Sequence, residues 1–425
     1  MVFHHKGKTR GSSLGLITGK EKSMGKEKKS DVGFISVGKE SSEGREIPEI
    51  GVGMLGYAFM GKAHSNGFLQ MPLMFWPPPA FPRLIAMCGR NEKAVREAAR
   101  RYGFERYTTD WHSIVEDERV KIFDDNGPNN VHAEPCIEAA RAGKDILCEK
   151  PLARNAEEAR RMLDVVKKAG VKHCCAYNCR MVPAIRLARK IVDEGRLGKI
   201  YHFRAQYLQE WIANPELPQV WRTVREISGS GAVGDFSHIV DLARYLCGEP
   251  GAVQSVTRTF IKERPLLEDP NKKGRVDVDD AFVSTVEFEN GAIGFLEGSR
   301  FCVGRKNHMY FEINGERGSI YYDHEHLNYL HVYFEDEDPP DTEGFRQISV
   351  TETYHPFIKH WWPQGHINSW AHTFVNQAYH MVDASVNGTE LAPNLATFED
   401  GYRAMVICDA IIESAETGKK VHIQY

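Results

Sequence analysis

No apolar run in this 425-residue sequence approaches the ~20 residues that a membrane-spanning helix needs, so we expect no membrane partner. The N-terminus also lacks the arginine pair and the apolar core that are typical of secretory signals. Positive charge is not in excess either: 54 Lys and Arg residues stand against 58 Asp and Glu residues, which predicts no nucleic-acid partner. Nine cysteines, an odd number dispersed through apolar segments, indicate reduced thiols in a cytoplasmic protein instead of a disulfide framework.

The first 46 residues differ in composition from everything that follows. Residues 1–46 are rich in Lys, Gly and Ser and show no apolar periodicity, which predicts a disordered basic tail. Two alternatives are a basic arm for an acidic partner and a true start at Met24. The remaining chain is long enough for two domains.

Short apolar strands alternate with amphipathic helices up to about residue 178. This alternation is typical of βαβ units and predicts an α/β domain with a doubly wound parallel sheet, a Rossmann fold, over 47–178. The predicted strands are 50–55, 84–88, 120–123, 145–148 and 171–177, and the predicted helices are 59–70, 92–102, 131–142 and 156–169.

The pattern changes to long stretches of strand alternation after residue 178. An Asn290-Gly291 pair between two such stretches predicts a tight hairpin. We therefore expect an α+β domain with a mostly antiparallel sheet over 179–425. The predicted strands are 201–211, 252–261, 281–301, 309–322 and 327–334, and the predicted helices are 182–194, 236–246 and 395–417.

A glycine-rich turn joins the first predicted strand to the first predicted helix. Gly56 and Gly61 take the first and third positions of a G-x-G-x-x-G pattern, and Ala58 replaces the middle glycine. Such a turn lets the backbone approach a pyrophosphate at a helix N-terminus, although glycines also close ordinary strand-to-helix turns. The context predicts a dinucleotide site. Its expected contacts are Gly56, Tyr57, Ala58, Phe59, Met60 and Gly61.

The end of the second predicted strand bears on the choice of cofactor. An acidic residue there would bind the ribose 2′-hydroxyl of NAD, whereas an arginine would suit the 2′-phosphate of NADP. The sequence has Arg90, which could bind a phosphate, stack on adenine or lie exposed in a loop. The choice between NAD and NADP is left open by this pattern.

Glu149-Lys150-Pro151 follows the fourth predicted strand, at the edge of the sheet where ligands bind. Together with the Gly56–Gly61 turn and Gly127-Pro128-Asn129, it resembles the glucose–fructose oxidoreductase / inositol dehydrogenase (Gfo/Idh/MocA) family from about residue 47 to the C-terminus. Trp221-Arg222 and Gly365-His366 are most similar to its levoglucosan-dehydrogenase branch.

The resemblance implies roles for several residues near this motif. Lys150 would point at the nicotinamide and the substrate hydroxyl, and the peptide bond before Pro151 would be cis. Further cofactor contacts would come from Asn129, His132 and Glu149.

A second group of candidate residues lies at Asp235-x-x-His238. The family usually has three residues between the acid and the histidine, so this sequence is one residue short. His238 suits a general base near neutral pH, and Asp235 could orient its ring. The alternative is that Asp235 caps a helix and His238 packs structurally.

Substrate contacts are expected from both domains. Asn178 and Arg180 leave the last strand of the first domain and should face the cleft. The second domain offers Trp221 and His366, with Trp211, Arg222 and Trp370 as further aromatic or polar candidates. We expect no metal, because neither the Cys174-Cys175-x-x-x-Cys179 segment nor the nearby histidines have ligand spacing.

The combined residues predict an NAD(P)-dependent dehydrogenase. It would move a hydride between the nicotinamide and a hydroxyl-bearing carbon of a cyclic polyol, sugar or anhydrosugar. One alternative is an enzyme that cleaves glycosides by oxidation and elimination with bound NAD, and another is a non-catalytic regulator that senses the cofactor. The resemblance also implies that the 179–425 domain serves substrate binding and oligomerisation, and that the protein is a homo-oligomer, a dimer or a tetramer.

Overall fold

A computed structural model describes residue 44 and residues 46–335, 337 and 339–425, so the prediction for the N-terminal tail lies almost wholly outside the described residues. The strands are β1 (Glu49–Leu55), β2 (Phe81–Cys88), β3 (Arg106–Thr108), β4 (Val120–Asp125), β5 (Asp145–Cys148), β6 (His173–Cys175), β7 (Ile200–Leu208), β8 (Pro250–Arg258), β9 (Glu263–Pro265), β10 (Lys273–Arg275), β11 (Ala281–Phe288), β12 (Ile293–Ser299), β13 (His308–Gly315), β14 (Gly318–Asp323), β15 (Tyr329–Phe334), β16 (Arg346–Ser349) and β17 (Val421–His422). The α-helices are α1 (Phe59–Met74), α2 (Glu92–Tyr102), α3 (His112–Val115), α4 (Ala133–Arg141), α5 (Ala156–Ala169), α6 (Pro183–Asp193), α7 (Arg225–Ser228), α8 (Ala232–Asp235), α9 (Ser237–Cys247), α10 (Trp370–Asn387) and α11 (Phe398–Thr417).

The first six strands form one parallel sheet in the order β3-β2-β1-β4-β5-β6. This order reverses direction between β1 and β4, which places the ligand-binding crevice beside the carboxyl ends of these two strands. The predicted doubly wound fold is confirmed. Strand β3 is additional to the prediction, because its three residues are too short to show an apolar pattern.

Two helices of the first domain begin and end at the predicted residues, because the sequence has a preferred capping residue at both ends of each helix. Asn91 accepts a hydrogen bond from the Ala94 amide at the start of α2, and Gly103 ends the helix with a φ of +83°. Asn155 and Gly170 cap α5 in the same way. Asn at the N-cap and Gly in the left-handed region are the preferred residues at these positions.

The second sheet has nine strands in the order β16-β15-β14-β13-β7-β12-β11-β8-β17. Only the β7–β12 pair is parallel, so the predicted mostly antiparallel sheet is confirmed. Strands β11 and β12 form the expected hairpin around Asn290-Gly291. Burial alternates strictly along β11, which shows that one face of this sheet is packed and the other is open.

Helix α10 was not predicted from the sequence. It lies in the second half of the chain but packs on the first sheet. It packs against α1 on the first sheet, where a side chain at Gly67 would come within 2.7 Å of the Phe374 carbonyl oxygen. Val375, Met381 and Val382 join the core on that face of the parallel sheet. A segment far beyond residue 178 therefore completes the first domain's core, and the division at residue 178 stays a prediction.

All nine cysteines are free thiols, and eight of them are buried. No helix of the described ranges is long and apolar enough to cross a membrane.

Candidate active site

The glycine turn after β1 is shaped by two close backbone approaches. Gly56 has a φ of +96°, and a side chain there would lie 2.6 Å from the Asn126 carbonyl. A side chain at Gly61 would lie 2.2 Å from the Gly56 carbonyl oxygen. Both positions therefore require glycine, which is what the pattern predicted of them.

The turn leads into a helix N-terminus without a side-chain cap. The N-cap Ala58 offers no side-chain acceptor to the first turn of α1, which contains no acidic residue. The first backbone N–H groups of a helix have no partner within the helix, so this end can receive an anion. Nearby, both polar atoms of the Asn126 amide are buried without a hydrogen-bond partner in the described chain. These features fit a dinucleotide, and Asn126 was missed because it lies outside the glycine pattern.

The loop after β2 is where the adenosine would lie in such a fold. The Tyr57 ring packs against Gly89, where a side chain would approach it to 2.2 Å. Arg90 is exposed beside it, and Asn91 is engaged in capping α2. The loop itself therefore carries Arg90 and no acidic residue. Glu92 is the acidic residue in the first turn of α2.

Lys150 lies where β5 ends and reaches across to the second half of the chain. Its peptide bond to Pro151 is cis, as the resemblance implied. Its Nζ donates a hydrogen bond to the Asp235 carbonyl oxygen at 2.9 Å. The neighbouring Glu149 side chain turns inward, where Oε1 lies 3.1 Å from His64 Nε2 and Oε2 accepts the Lys150 backbone N–H at 3.1 Å.

Asn129 and His132 are both buried and engaged with the backbone around the site. The Asn129 amide donates to the Ser228 carbonyl at 2.8 Å. The His132 ring nitrogens lie 2.9 Å from the Gly127 carbonyl oxygen and 3.1 Å from that of Pro151. Both side chains therefore hold the surrounding loops through these hydrogen bonds. Their expected contact with the cofactor stays a prediction.

The shortened Asp235-x-x-His238 segment is broken between two helices. Asp235 is the last residue of α8, and His238 is the second residue of α9. The Asp235 carboxylate lies 3.2 Å from Arg300 Nη1 and 3.4 Å from Arg222 Nε. His238 Nδ1 is buried with no hydrogen-bond partner among the described residues. Asp235 thus neither caps α9 nor orients the His238 ring, contrary to both expectations.

His238 lies in a buried aromatic environment. Its ring packs edge-on to Tyr177 and tilted to Tyr207, with centroids 5.6 and 6.1 Å apart. Burial lowers the pKa of His238 well below its ordinary value, and the nearby positive charge of Lys150 lowers it further. The imidazole is therefore neutral near pH 7 and can accept a proton. Tyr207 and His324 were missed because their positions depend on the pairing of distant strands.

Arg180 does not face the cleft, which corrects its expected role as a substrate contact. Its guanidinium is 3% exposed and binds Asp241 with two hydrogen bonds of 2.8 and 2.5 Å. A third bond of 3.1 Å goes to Asp400. Asn178 is also buried, and its amide donates to the Thr373 hydroxyl at 2.8 Å. Arg180 therefore links its segment to α9, and Asn178 links the same segment to α10.

The remaining substrate candidates lie on two separate segments. Arg222 stacks over the Trp221 ring at 4.1 Å and is half-exposed next to Asp235. His366 is exposed, and its Nδ1 lies 2.8 Å from the Pro363 carbonyl oxygen of its own loop. Trp370, at the start of α10, stacks on the Phe59 ring of the glycine turn with centroids 5.3 Å apart. The structure thus connects Trp221 to the Lys150–His238 side through Arg222 and Asp235.

Among the described residues, two groups of side chains place possible metal-ligand atoms close together. Asp125, Cys136 and Cys148 are wholly buried, and burial raises the pKa of the Cys136 thiol to about 11. The other group includes Glu325, where the Arg305 guanidinium already lies 3.1 Å from the carboxylate.

Sequence comparisons identify both parts of the chain. Residues 50–177 match the oxidoreductase family with an NAD-binding Rossmann fold, and residues 185–321 match the GFO/IDH/MocA C-terminal domain. Levoglucosan dehydrogenase of Pseudarthrobacter phenanthrenivorans is 42% identical over 382 residues, which is 87% of this chain and 97% of the relative. Myo-inositol 2-dehydrogenase of Thermotoga maritima is 28% identical over 64% of this chain and 75% of the relative.

Comparison of structures gives the same result. A solved levoglucosan dehydrogenase in complex with NADH and levoglucosan superposes with a TM-score of 0.85, at 42% identity, over 89% of this chain and 100% of the other. An NAD-binding oxidoreductase from Klebsiella pneumoniae superposes with a TM-score of 0.83, at 29% identity, over 89% and 100% of the two chains. The chain therefore belongs to the Gfo/Idh/MocA family of oxidoreductases, as an NAD-binding dehydrogenase that acts on CH–OH groups.

Proposed function

We propose that the protein oxidises one hydroxyl of an anhydrosugar or a closely related pyranose with NAD. The observation that carries this proposal is the convergence of Lys150 and His238. Lys150 Nζ is bonded to the carbonyl of Asp235, only three residues before His238, and its charge acts on His238, so the amine and the imidazole lie close together. The 42% identity to a levoglucosan dehydrogenase supports the substrate class.

The two side chains divide the work of moving a proton. When bound, NAD supplies the acceptor for the hydride that leaves the carbon. His238 takes the hydroxyl proton, and because Nδ1 is sealed in the interior, we assign this role to Nε2. Lys150 donates a hydrogen bond to the same substrate oxygen, which stabilises the negative charge that develops there. In the reverse direction the same groups return the proton to a ketone.

Asp235 has a different role in this proposal from the one expected for it. Its carboxylate is held by Arg300 and Arg222, and its backbone carbonyl receives the Lys150 amine. We assign it the task of fixing that carbonyl and of placing Arg222 beside the stacked Trp221 ring at the substrate. Polyol sites combine flat apolar faces with a few fixed polar groups, and Trp221 with Arg222 supplies both.

Steady-state assays test this function. Purified protein is incubated with NAD or NADP and a panel of levoglucosan, myo-inositol, D-xylose and D-glucose, and reduction of the nicotinamide is followed by absorbance. We expect the highest kcat/KM with levoglucosan and NAD. Turnover of none of these compounds by folded protein that binds NADH would contradict the proposal. A preference for NADP would assign the exposed Arg90 to the 2′-phosphate.

We also propose that the protein forms dimers or tetramers through the open face of the second sheet. Val256 and Val283 are paired on neighbouring strands of this face, and both are more than half exposed. Ile293, which is paired with Glu287 on the exposed side of β11, extends the same apolar surface. Light scattering of wild type and of Val283→Lys tests this: we expect the substitution to lower the molar mass, and equal masses would argue against this face.

A cytoplasmic location is the last part of the proposal. Nine free thiols suit a reducing compartment, since an oxidising one favours disulfides. Cell fractionation with an antibody to the protein checks it, and recovery outside the cytoplasmic fraction would refute it.

A further inference from the structure

A buried cluster of three charged side chains lies beneath the glycine turn. His64 is on α1, Asp124 is near the end of β4, and Glu149 follows β5; their exposures are 2%, 0% and 5%. His64 Nδ1 lies 2.9 Å from Asp124 Oδ1, and Nε2 lies 3.1 Å from Glu149 Oε1. The proton transfer described above does not use this cluster.

The geometry of the cluster favours a doubly protonated histidine. Each nitrogen of the His64 ring faces a carboxyl oxygen, and an ionised carboxylate can only accept hydrogen bonds. A ring that carries a proton on both nitrogens donates to both carboxylates at once. Burial by itself would lower the pKa of His64, but the charges and hydrogen bonds of Asp124 and Glu149 raise it to about 10.

Glu149 extends this cluster to the catalytic amine. Its second oxygen, Oε2, accepts the backbone N–H of Lys150 at 3.1 Å. The Lys150 side chain then crosses the cleft to the Asp235 carbonyl. The hydrogen bonds of the cluster and the Lys150 side chain thus connect α1, which bears the dinucleotide turn, to the amine that faces the substrate.

We propose that His64 is a positioning residue for Lys150, acting through the Glu149 carboxylate that it shares with the Lys150 backbone. The inference rests on the proposed function, since that function makes Lys150 the catalytic amine. A histidine with one proton would leave one carboxylate facing a lone pair. Glu149 could then rotate away, and the backbone N–H of Lys150 would lose its acceptor.

A purely structural histidine would behave differently. The His64 ring also packs near the Phe374 ring, with centroids 5.2 Å apart, so its removal also loosens the contact between α1 and α10. That contact alone would change stability without changing Lys150. A readout specific to Lys150 therefore separates the two roles.

Chemical labelling of lysine provides that readout. Wild type, His64→Gln and Glu149→Gln are treated with an amine-acetylating reagent, and the modification of Lys150 is measured by peptide mass spectrometry. Lys144 is the internal reference, because its Nζ also donates to a backbone carbonyl at 2.9 Å. His173→Gln is the matched control, since His173 is a histidine on β6 that accepts the backbone N–H of Phe398 and takes no part in the cluster.

We expect labelling of Lys150 relative to Lys144 to rise several-fold in both cluster variants and to stay at the wild-type ratio in His173→Gln. On the preferred sugar, kcat should fall by about 10- to 100-fold with little change in KM, because a misplacement near 1 Å has effects of this size. If His64→Gln does not fold, Glu149→Gln, which keeps the side-chain shape, gives the result. Wild-type labelling and kcat in a folded variant would overturn the inference.

The labelling needs no substrate, so it separates this inference from the proposed function. If wild type oxidises no sugar, the proposed function fails, while a rise in Lys150 labelling still supports the role of His64. If wild type is active and labelling is unchanged in the variants, the proposed function stands and this inference is wrong.

Discussion

Replacing Arg180 by methionine should destabilise the protein without changing its affinity for substrate. The guanidinium is buried with its bidentate partner Asp241, whose side chain is 1% exposed. Methionine has a similar length but no charge, so Asp241 would be left as an uncompensated buried anion. Asp400 would keep a partner, because Arg244 Nη1 lies 3.1 Å from it.

The size of the effect follows from the burial of the pair. Breaking a buried ion pair by removing one partner typically costs about 3–5 kcal/mol. Burial raises the pKa of Asp241, and Arg180 opposes that rise in the wild type. Without Arg180 the pKa would rise further, so the Asp241 carboxyl would bind a proton as the pH falls. The loss of stability should therefore be largest at pH 7–8 and smaller near pH 5.

Urea unfolding followed by fluorescence, at pH 5 and pH 8, measures this difference. A double variant, Arg180→Met with Asp241→Leu, is the control that removes both charges. We expect it to recover most of the lost stability, because apolar replacement of a whole buried pair is often neutral. An unchanged urea midpoint together with a raised KM for sugar in Arg180→Met would refute the reasoning and return Arg180 to the substrate site.

Three further outcomes follow from the site. Lys150→Met should lose about 100-fold or more in kcat, while a fluorescence titration shows unchanged NADH binding; normal turnover would exclude Lys150 from the chemistry. The stability that His64 gains from its raised pKa is complete below pH 6.5 and is lost as the pH rises through about 10. The unfolding midpoints of wild type and His64→Gln should therefore differ at pH 6 and converge towards pH 10, and a constant gap would contradict a charged His64. Because the pKa of His238 is lowered, kcat/KM for oxidation should not depend on the protonation of His238 between pH 6 and 8. A fall in kcat/KM below about pH 6.5 that is absent from His238→Gln would refute this.

Local signals were enough to predict much of the first domain. The caps Asn91 and Asn155 and the left-handed glycines define their helices within a few residues of sequence, and the glycine turn is equally local. Lys150 could be placed because a single strand end positions it. The hairpin at Asn290-Gly291 could be predicted for the same reason, because its signal is local.

The parts that failed depend on distant partners. Arg180 forms ion pairs with Asp241 and Asp400, which are 61 and 220 residues away. No local spacing in the sequence could therefore show that its charge is neutralised. Near Asp235 a break at Phe236 separates α8 from α9, and residue spacing along a single helix cannot reveal such a break. Helix α10 was missed, and with it the contact that brings Trp370 to Phe59.

The return of α10 to α1 also bears on the order in which the protein can mature during synthesis. Until residues 370–387 have left the ribosome, part of the apolar surface on one side of the parallel sheet lacks its cover. The nucleotide domain can therefore acquire its full core only after most of the second sheet has been made. An isolated fragment ending at residue 178 would expose that surface to solvent and to other chains, whereas nearly full-length chains can bury it at once.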